Sequence, residues 1–218
     1  MHTITLLGNQ LHLLAEKAIY LPHSRSLLVS DVHLGKSETF QAAGMPIPNT
    51  INQATLTRLQ HLCDRHQPAQ LLILGDLFHS RLALVNEVMQ AWQQFLAHIQ
   101  IPVSLLVGNH DRALGPQLEQ CGIHCIPEAL QLPNLVLSHH PHPSPQQLNI
   151  CGHIHPCIRL KTRLDNLRLP CFYLQQNTLI LPSFGDFTGG YEVPLAANTT
   201  AFVVVENTVL PIAGRERP

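Results

Sequence analysis

Metal-binding side chains follow five short apolar runs of the 218-residue sequence. Each run is followed by a carboxylate, imidazole or amide side chain, so the same chemistry recurs at five separate points of the chain. If the runs are strands of open α/β sheets, their carboxyl ends meet at one edge, where such sheets bind ligands. We predict seven metal ligands at this edge: Asp31, His33, Asp76, Asn109, His139, His153 and His155.

Three glycines and the mixture of donor atoms support this interpretation. Gly75, Gly108 and Gly152 each directly precede a predicted ligand, where a sharp exit from a strand favours a residue without Cβ. Carboxylate, imidazole and amide donors suit Mn²⁺, Fe or Zn²⁺. Seven donors are too many for one tetrahedral ion, and they suit two ions about 3.5–4 Å apart that share a carboxylate.

The composition favours a folded chain of ordinary charge. Apolar residues make up 45% and charged residues 12%, and the formal net charge is −1, which excludes a disordered chain and a strongly cationic nucleic-acid coat. Because no apolar run reaches the roughly 18 residues of a membrane span, and Gly8 interrupts the apolar N-terminal stretch, we expect neither a span nor a signal peptide. The six cysteines are interpreted as reduced thiols of a cytoplasmic protein.

The elements that must position the donors alternate between strands and helices in the first half of the chain. Apolar runs predict strands at 26–29, 71–74 and 103–107. Helical spacing of apolar residues predicts one helix that begins near Thr50 and a long amphipathic helix over 84–99. This alternation implies parallel pairing with right-handed crossovers. The first twenty residues, with Gly8-Asn9 near their middle, predict an edge hairpin.

The second half of the sequence is rich in predicted strands. Short apolar runs lie at 135–137, 148–151, 157–160, 171–174, 179–181 and 201–205. We predict that they form a second sheet stacked on the first, and that residues 1–218 form a single domain.

The five polar segments also match the motifs of a known family. The sequence resembles the calcineurin-like metallophosphoesterases, whose pattern is DxH, GD, GNH[DE], a lone His and GHxH. The matching residues are Asp31-Val32-His33, Gly75-Asp76, Gly108-Asn109-His110-Asp111, His139 and Gly152-His153-Ile154-His155. Further stretches resemble the ligase-associated DNA-damage-response endonuclease branch of the family. They are residues 30–36, 44–48, 74–80, 151–156 and 181–190.

The resemblance implies a fold and a metal centre. The implied fold class is α/β (α+β by some schemes), with two stacked mixed β-sheets flanked by helices in a four-layer metallophosphoesterase fold. The implied cofactors are two divalent metal ions, with Mn²⁺ preferred and Fe or Zn²⁺ as alternatives. One ion would bind Asp31, His33, Asp76 and His155, and the other would bind Asp76, Asn109, His139 and His153. His140 and His142 are also available for the lone-His position, and His139 is chosen as the first after the strand.

The resemblance further implies an activity. We expect a dinuclear-metal-dependent phosphodiesterase that hydrolyses its substrate by direct attack of a metal-bridging hydroxide. Resemblance to the endonuclease branch implies that the substrate is DNA. The same resemblance implies a functional association with a DNA ligase and a helicase. His110 would stand beside the ions without binding them, as the acid for the leaving alkoxide, and Asp111 would hold it.

Four residues next to the motifs are candidates for contacts to the substrate. They are Lys36, His79, Arg81 and Arg112. Lys36, Arg81 and Arg112 would bind a flanking phosphate of the substrate. His79 is equally a histidine that packs within its loop. Asp111 has an alternative role as a turn aspartate that follows Asn-His.

Basic and sulfur-containing residues near the GHxH segment have two interpretations each. Arg159, Lys161 and Arg163 alternate and, with Arg168, would contact a DNA backbone or form the solvated face of a hairpin. Cysteines at 151 and 157 flank the histidines, but their alternate spacing is unlike the paired cysteines of structural zinc sites.

Two other functions fit part of the pattern. A small-molecule nucleotide phosphodiesterase or pyrophosphatase would use the same ligands, and hydrolysis of small diesters without nicking of plasmid DNA would identify it. A non-catalytic scaffold of the same fold would be expected to lack ligands or His110, and this sequence has them all.

Overall fold

The chain folds into two β-sheets with helices packed against one of them. The computed structural model describes residues 1–42, 44–45, 47, 50–161, 166–186 and 188–214. The candidate DNA contact Arg163 and three residues of the branch-specific stretches, Pro46, Pro48 and Phe187, lie outside the described residues.

The first sheet contains seven strands from the N-terminal part of the chain. They are β1 (His2–Leu6), β2 (Asn9–Leu14), β3 (Ala18–Leu21), β4 (Ser26–Val29), β5 (Gln70–Ile73), β6 (Val103–Leu106) and β7 (His124–Ile126). They lie across the sheet in chain order, antiparallel from β1 to β4 and parallel from β4 to β7. The predicted edge hairpin and the parallel pairing of the three predicted strands are confirmed.

Helices connect the parallel strands and cover one face of this sheet. They are α1 (Lys36–Ala42), α2 (Thr50–His66), α3 (Asn86–Ile99) and the short α4 (Asn109–Arg112). Leu59 and Leu62 of α2 and Trp92 and Phe95 of α3 are buried in one cluster with the sheet. Because apolar side chains repeat on one face of each helix, burial of that face fixes the helix on the sheet. Among the described residues, none of the helices combines the length and apolar character needed to cross a membrane.

The second sheet has nine strands from the C-terminal part of the chain. They are β8 (Leu130–Leu132), β9 (Leu135–Leu137), β10 (Leu148–Cys151), β11 (Pro156–Lys161), β12 (Asn166–Gln175), β13 (Thr178–Ile180), β14 (Tyr191–Glu192), β15 (Thr199–Val205) and β16 (Thr208–Ala213). The sheet is mixed, because β10 pairs in parallel with β9 and β13 while β12 pairs antiparallel with β11, β13 and β15. Each strand predicted in this half of the sequence is present.

The two sheets stack face to face around a shared apolar core. Leu28, Leu72 and Leu106 of the first sheet are buried in the same cluster as Ile150 and Phe172 of the second. This packing confirms the expected fold class of two stacked mixed sheets. Its importance for the site is that the carboxyl ends of strands from both sheets come to one end of the stack.

The outer faces of the two sheets are covered differently. The outer face of the first sheet carries α2 and α3. On the second sheet, side chains such as Tyr173 and Val203 form a cluster with Val193 and Leu195, and no helical residue of the described chain belongs to it. In the described residues, the extended segment with Val193 and Leu195 therefore packs on this face in place of a helix.

Candidate metal centre

The predicted ligands lie on the loops that follow β4, β5, β6, β9 and β10. Three of these strands belong to the first sheet and two to the second, so both sheets contribute donors. Backbone hydrogen bonds join the loops: the Asp31 N–H donates to the Gly75 carbonyl and the Gly152 N–H to the His139 carbonyl, each at 3.1 Å. These bonds hold segments that are distant in sequence at one end of the stack.

Asp76 occupies the middle of the group. Its Oδ2 atom lies 3.5 Å from His139 Nε2 and 4.0 Å from His33 Nε2. All three side chains are buried. A carboxylate between two imidazoles from different sheets has the position that a ligand shared by two ions needs.

Asp31 and His155 lie on the His33 side of this carboxylate. His155 Nε2 is 3.0 Å from Asp31 Oδ1. Donor atoms of Asp31, His33 and His155 all lie within 4.8 Å of one another. These three side chains could therefore hold one ion together with Asp76.

Asn109 and His153 lie on the other side, around His139. Asn109 Oδ1 is 2.9 Å from His139 Nε2, and the rings of His139 and His153 have centroids 5.0 Å apart. Asp31, Asp76 and His139 also form a group with donor atoms within 4.8 Å. The structure thus brings together all seven predicted ligands in two adjoining groups.

The backbone of five of the seven predicted ligands lies in the left-handed region. The φ angles are 54° at Asp31, 51° at His33, 53° at Asp76, 69° at His153 and 53° at His155. A residue with a side chain in this region raises the conformational free energy by about 1–3 kcal/mol, so it persists only where the surrounding structure holds it. Such residues are typical of functional sites. One of the contacts that holds them is the hydrogen bond from the His153 N–H to Asp31 Oδ2, at 3.0 Å.

Backbone carbonyls orient two of the imidazoles. The His139 Nδ1–H donates to the Leu74 carbonyl at 2.8 Å, and the His155 Nδ1–H donates to the Gly189 carbonyl at 3.2 Å. In both rings Nε2 faces the carboxylates of the centre, 3.5 Å from Asp76 for His139 and 3.0 Å from Asp31 for His155. Metal-binding histidines characteristically donate their second ring N–H in this way, which fixes the tautomer.

Two glycines let the donor loops approach one another. A Cβ at Gly152 would overlap Ser30 Oγ and Asp31 Oδ2, and a Cβ at Gly75 would overlap the ring of His139. Gly75 also has a φ of +87°, which a residue with a side chain rarely adopts. The close approach expected at these glycines is therefore observed.

Three buried donor atoms of this centre have no hydrogen-bond partner among the described residues. They are Asp31 Oδ1, His33 Nε2 and His155 Nε2. An unsatisfied buried polar atom costs about 1–3 kcal/mol, and a bound ion would satisfy all three. The oxygen and nitrogen donors also have the chemistry of a Mn²⁺, Fe or Zn²⁺ site, so the residues fit divalent metals.

The protonation states of His33 and Asp31 suit metal binding. Burial lowers the pKa of His33 to about 2, although the Asp31 carboxylate opposes this shift. Burial acts to raise the pKa of Asp31, but its contact with His155 and its hydrogen bond from Ser30 bring that pKa below the usual value. A neutral imidazole and an ionised carboxylate are the forms that bind metal ions.

His110 lies at the rim of the centre with its ring anchored by His79. Its Nδ1–H donates to the backbone carbonyl of His79 at 2.6 Å, and the two rings stack with centroids 5.0 Å apart. Its Nε2 lies 4.0 Å from Asp76 Oδ2, and the side chain is 36% exposed. The free ring nitrogen is therefore close to the donors and accessible to a substrate.

Asp111 is buried and binds backbone amides rather than the His110 ring. Its carboxylate accepts hydrogen bonds from the N–H groups of Asp76 at 2.6 Å, Leu77 at 3.0 Å and Gly108 at 3.0 Å. This differs from the expectation that Asp111 holds His110, because Asp111 is the third residue of α4 and its side chain turns back to cap the start of that helix. Burial raises the pKa of Asp111 to about 6, although its bond from the Gly108 amide opposes this shift.

The four predicted substrate contacts lie at different distances from the donors. His79 is close, with its Nδ1 3.4 Å from His33 Nδ1, and burial lowers its pKa to about 4. Lys36 is partly buried and places its Nζ 5.8 Å from the centre of the Phe40 ring. Arg81 uses its Nε–H on the Ala113 carbonyl, and Arg112 is exposed on α4. Of the four, His79 alone belongs to a group of potential ligands, with His33 and His110, among the described residues.

Two neighbours of the centre were not assigned from the sequence. The exposed His140 ring lies 4.1 Å from that of His153 and 4.8 Å from that of His139, measured between centroids. The Ser30 Oγ–H donates to Asp31 Oδ2 at 2.6 Å. The adjacent histidines were visible as an ambiguity in the sequence, whereas no local pattern marks Ser30 as a support for the carboxylate.

The cysteines near the histidines do not join the donors. Cys151 and Cys157 are buried, and in the described part of the chain neither belongs to a group of three metal-binding side chains. Burial raises the pKa of the Cys151 thiol, so the thiolate that zinc needs is disfavoured. The geometry gives no support to the structural-zinc interpretation.

The fold and these donors define the class of protein. The chain belongs to the calcineurin-like phosphoesterase family, whose model matches residues 24–132. It is a metal-dependent phosphoesterase. The family resemblance noted in the motifs is confirmed.

One solved structure is similar over nearly the whole chain. The crystal structure of Pseudomonas putida nuclease MPE has 35% sequence identity, covers 97% of this chain and 99% of its own, and superposes with a TM-score of 0.85. The Aquifex aeolicus protein of unknown function AQ665 has 18% identity over 60% of this chain and 78% of its own, with a TM-score of 0.43. Yfce, a phosphoesterase from E. coli, has 14% identity over 87% and 99%, with a TM-score of 0.42. No curated protein matches the chain.

Proposed function

We propose that the protein hydrolyses phosphodiester bonds in DNA. The observation that carries this proposal is the similarity to a nuclease over 97% of the chain at a TM-score of 0.85. The converging donors support the hydrolytic chemistry, and the choice of DNA as substrate rests on that similarity and on the branch-specific stretches of sequence.

Two divalent metal ions are the proposed cofactors, with Mn²⁺ preferred and Fe or Zn²⁺ as alternatives. Asp31, His33, Asp76 and His155 would hold one ion, and Asp76, Asn109, His139 and His153 would hold the other. When bound, the ions supply Lewis acidity to the attacking water and to the non-bridging oxygens of the phosphodiester.

His110 is the proposed acid of the reaction. In hydrolysis, the water oxygen forms a bond to phosphorus, the bond from phosphorus to the leaving oxygen breaks, and the leaving oxygen gains a proton. The proton would come from His110 Nε2, because Nδ1–H is engaged with the His79 carbonyl. Asp111 would be a positioning residue, since its buried carboxylate fixes the backbone amide of Asp76.

Contacts to the rest of the substrate are proposed for Lys36, His79, Arg81 and Arg112. Lys36 and the two arginines are cations that lie close in sequence to the loops that carry the donors. His79 already stacks on His110, so its role would combine support of that ring with contact to the substrate.

The test compares three substrates with Mn²⁺, Fe²⁺ or Zn²⁺ in turn: supercoiled plasmid, a single-stranded oligonucleotide and bis(p-nitrophenyl) phosphate. We expect cleavage of DNA with at least one metal and none by Asp76→Asn. Hydrolysis of the small diester without cleavage of DNA would identify a small-molecule phosphodiesterase or pyrophosphatase instead. Inertness towards all substrates with every metal would identify a scaffold.

A cytoplasmic location and a functional association with a DNA ligase and a helicase complete the proposal. The partners rest on the branch resemblance. The location rests on the interpretation of the six cysteines as reduced thiols, and none of the six, which all lie in the described part of the chain, forms a disulfide. Cell fractionation tests the location. The association is tested by comparing the repair of gapped DNA by this protein, the ligase and the helicase together with the repair by each pair of them.

A further inference from the structure

A cavity with a mixed polar and apolar lining adjoins the centre on the side of His155. Its volume is about 290 Å³, close to the lower limit of small-ligand pockets, roughly 300 Å³. Its lining includes Lys17 from the first sheet's edge region, Arg168 from β12, and Asp186, Thr188 and Gly190 from the loop that follows β13. Because His155 lines the same cavity, a group bound there would lie beside a predicted metal ligand.

The charge at the wall formed by Lys17 is positive overall. Lys17 Nζ lies 3.0 Å from Asp186 Oδ1, and Arg58 Nη1 lies 2.7 Å from Asp186 Oδ2. One carboxylate therefore serves two cations. The Lys17 side chain is only 14% exposed, so its charge is screened by water less than that of a free surface lysine.

Arg168 places a second cation in the lining of the cavity. Its Nε–H donates to Cys157 Sγ at 3.1 Å, which turns the guanidinium towards the end of β11 that follows His155. Within the described residues Arg168 has no carboxylate partner, so its remaining N–H groups are available to an anion. Among the described residues that line the cavity, Asp186 is the one carboxylate, and Lys17 and Arg58 already share it.

The other basic residues of the hairpin do not share this position. Arg159 lies directly opposite Arg168 in the β11–β12 pair, but its Nε–H donates to Glu192 at 2.8 Å. Lys161 is exposed at the far end of β11 and does not line the cavity. Of the basic residues of the hairpin that the structure describes, Arg168 alone lines the cavity.

We propose that Arg168 and Lys17 bind a phosphate that flanks the scissile phosphodiester of a DNA strand. This inference rests on the proposed function and assigns it a subsite. A planar guanidinium can hold two phosphate oxygens at once, and a partly buried ammonium adds a point charge within the same cavity. A substrate with a single phosphodiester has no group for this subsite, so the pair would favour strands over small diesters.

The experiment measures binding of a fluorescein-labelled single-stranded oligonucleotide by fluorescence anisotropy with Mn²⁺ present. His110→Ala is the common background, so that cleavage is slow, and Arg168→Gln, Arg168→Lys and Lys161→Gln are added to it. We expect Arg168→Gln to weaken binding about tenfold, since hydrogen bonds to charged groups are strong. The slope of log K against log salt should fall by about 0.7, the value for one lost contact to a single strand.

The matched control is Lys161→Gln, which removes one charge from the same hairpin away from the cavity. It should change affinity by less than about twofold because an exposed charge is screened. Arg168→Lys, which keeps the charge, should restore most of the salt slope. In the background with His110 intact, Arg168→Gln should lower kcat/KM for the oligonucleotide more than for bis(p-nitrophenyl) phosphate.

Two results would overturn the subsite while the proposed function stands. One is DNA cleavage by the wild type together with unchanged affinity and salt slope in Arg168→Gln. The other is an equal loss in Lys161→Gln, which would indicate diffuse attraction. Failure of the wild type to cleave DNA, with turnover of the small diester, would instead reject the proposed function and the subsite with it. Thermal unfolding of each variant shows whether it is folded.

Discussion

At the scale of single residues, His110 has one ring nitrogen held by a hydrogen bond and the other accessible to a substrate. The Nδ1–H is bound to the His79 carbonyl at 2.6 Å, while Nε2 lies 4.0 Å from Asp76. Such a ring can transfer a proton without contributing to the metal site. Replacing it should separate catalysis from metal binding.

We expect His110→Ala to keep its metal and to lose kcat by about 10²–10⁴-fold, the range for general acid catalysis. The physical reason is that the leaving oxygen loses its proton donor. Metal content by plasma mass spectrometry and turnover of a diester with a poor leaving group are the measurements. His98→Ala is the control, because His98 pairs with Asp64 on the surface at 3.1 Å. Wild-type turnover by His110→Ala would reject the acid role.

Asp76 differs from His110 because its carboxylate lies between the two groups of donors. Its Oδ2 atom is 3.5 Å from His139 Nε2 and 4.0 Å from His33 Nε2. We expect Asp76→Ala to lose both ions and His33→Ala to lose one, measured as metal per chain after dialysis. Asp64→Ala, on the surface, should retain the wild-type amount. If Asp76→Ala retained one ion with full occupancy, the carboxylate would not be shared.

At the scale of elements, the turns that leave the strands hold the donors in strained backbone conformations. Gly152 at the end of β10 illustrates the requirement, since a Cβ there would overlap Ser30 Oγ and Asp31 Oδ2. The close contact joins a loop of the second sheet to a loop of the first. The fit of the two loops should therefore depend on this one position.

We expect Gly152→Ala to lower the free energy of unfolding by about 1–3 kcal/mol, because overpacking forces the loops apart. Its affinity for Mn²⁺ should fall as well, since His153 and Asp31 would separate. Urea unfolding and metal titration by calorimetry are the measurements. The control is Gly189→Ala, whose Cβ would meet open space, and its stability should change by less than about 0.5 kcal/mol. Equal stability of the two variants would contradict the close-packing explanation.

The same elements show what a sequence can and cannot predict. Strands such as 26–29 and the donors that follow them were predictable, because apolar periodicity and motif spacing are local. The anchoring of His110 by His79 and the backbone role of Asp111 were not, since both depend on loops that meet only in the folded chain. The direction of Arg168 likewise depends on Cys157 across the hairpin, which periodicity alone cannot distinguish from that of Arg159.

At the scale of the whole molecule, the donor loops come from both sheets, and the sheets share one core. We propose on this ground that residues 1–218 form a single cooperative domain. Separation of the two sheets would expose the shared core and would also take the donors apart. Stability and metal binding should therefore be coupled.

We expect one calorimetric unfolding transition, raised by Mn²⁺ and lowered by a chelator. An ion at 100 times its Kd adds about 2.7 kcal/mol to the free energy of unfolding, because it binds the folded state alone. Differential scanning calorimetry with Mn²⁺ or EDTA measures both effects. The control is a solution of a Mg²⁺ salt with the same ionic strength. Two separate transitions, with only one sensitive to the metal, would contradict a single domain.

The contacts of Asp31 have a practical consequence for trapping a substrate complex. Its carboxylate accepts hydrogen bonds from the His153 N–H at 3.0 Å and from Ser30 Oγ at 2.6 Å, and the first of these bonds joins the loops of the two sheets. Truncating this side chain would disturb the structure as well as the chemistry, so loss of activity in such a variant would have two explanations. A substrate complex of an inactive but intact protein is therefore better sought with a substitution of His110.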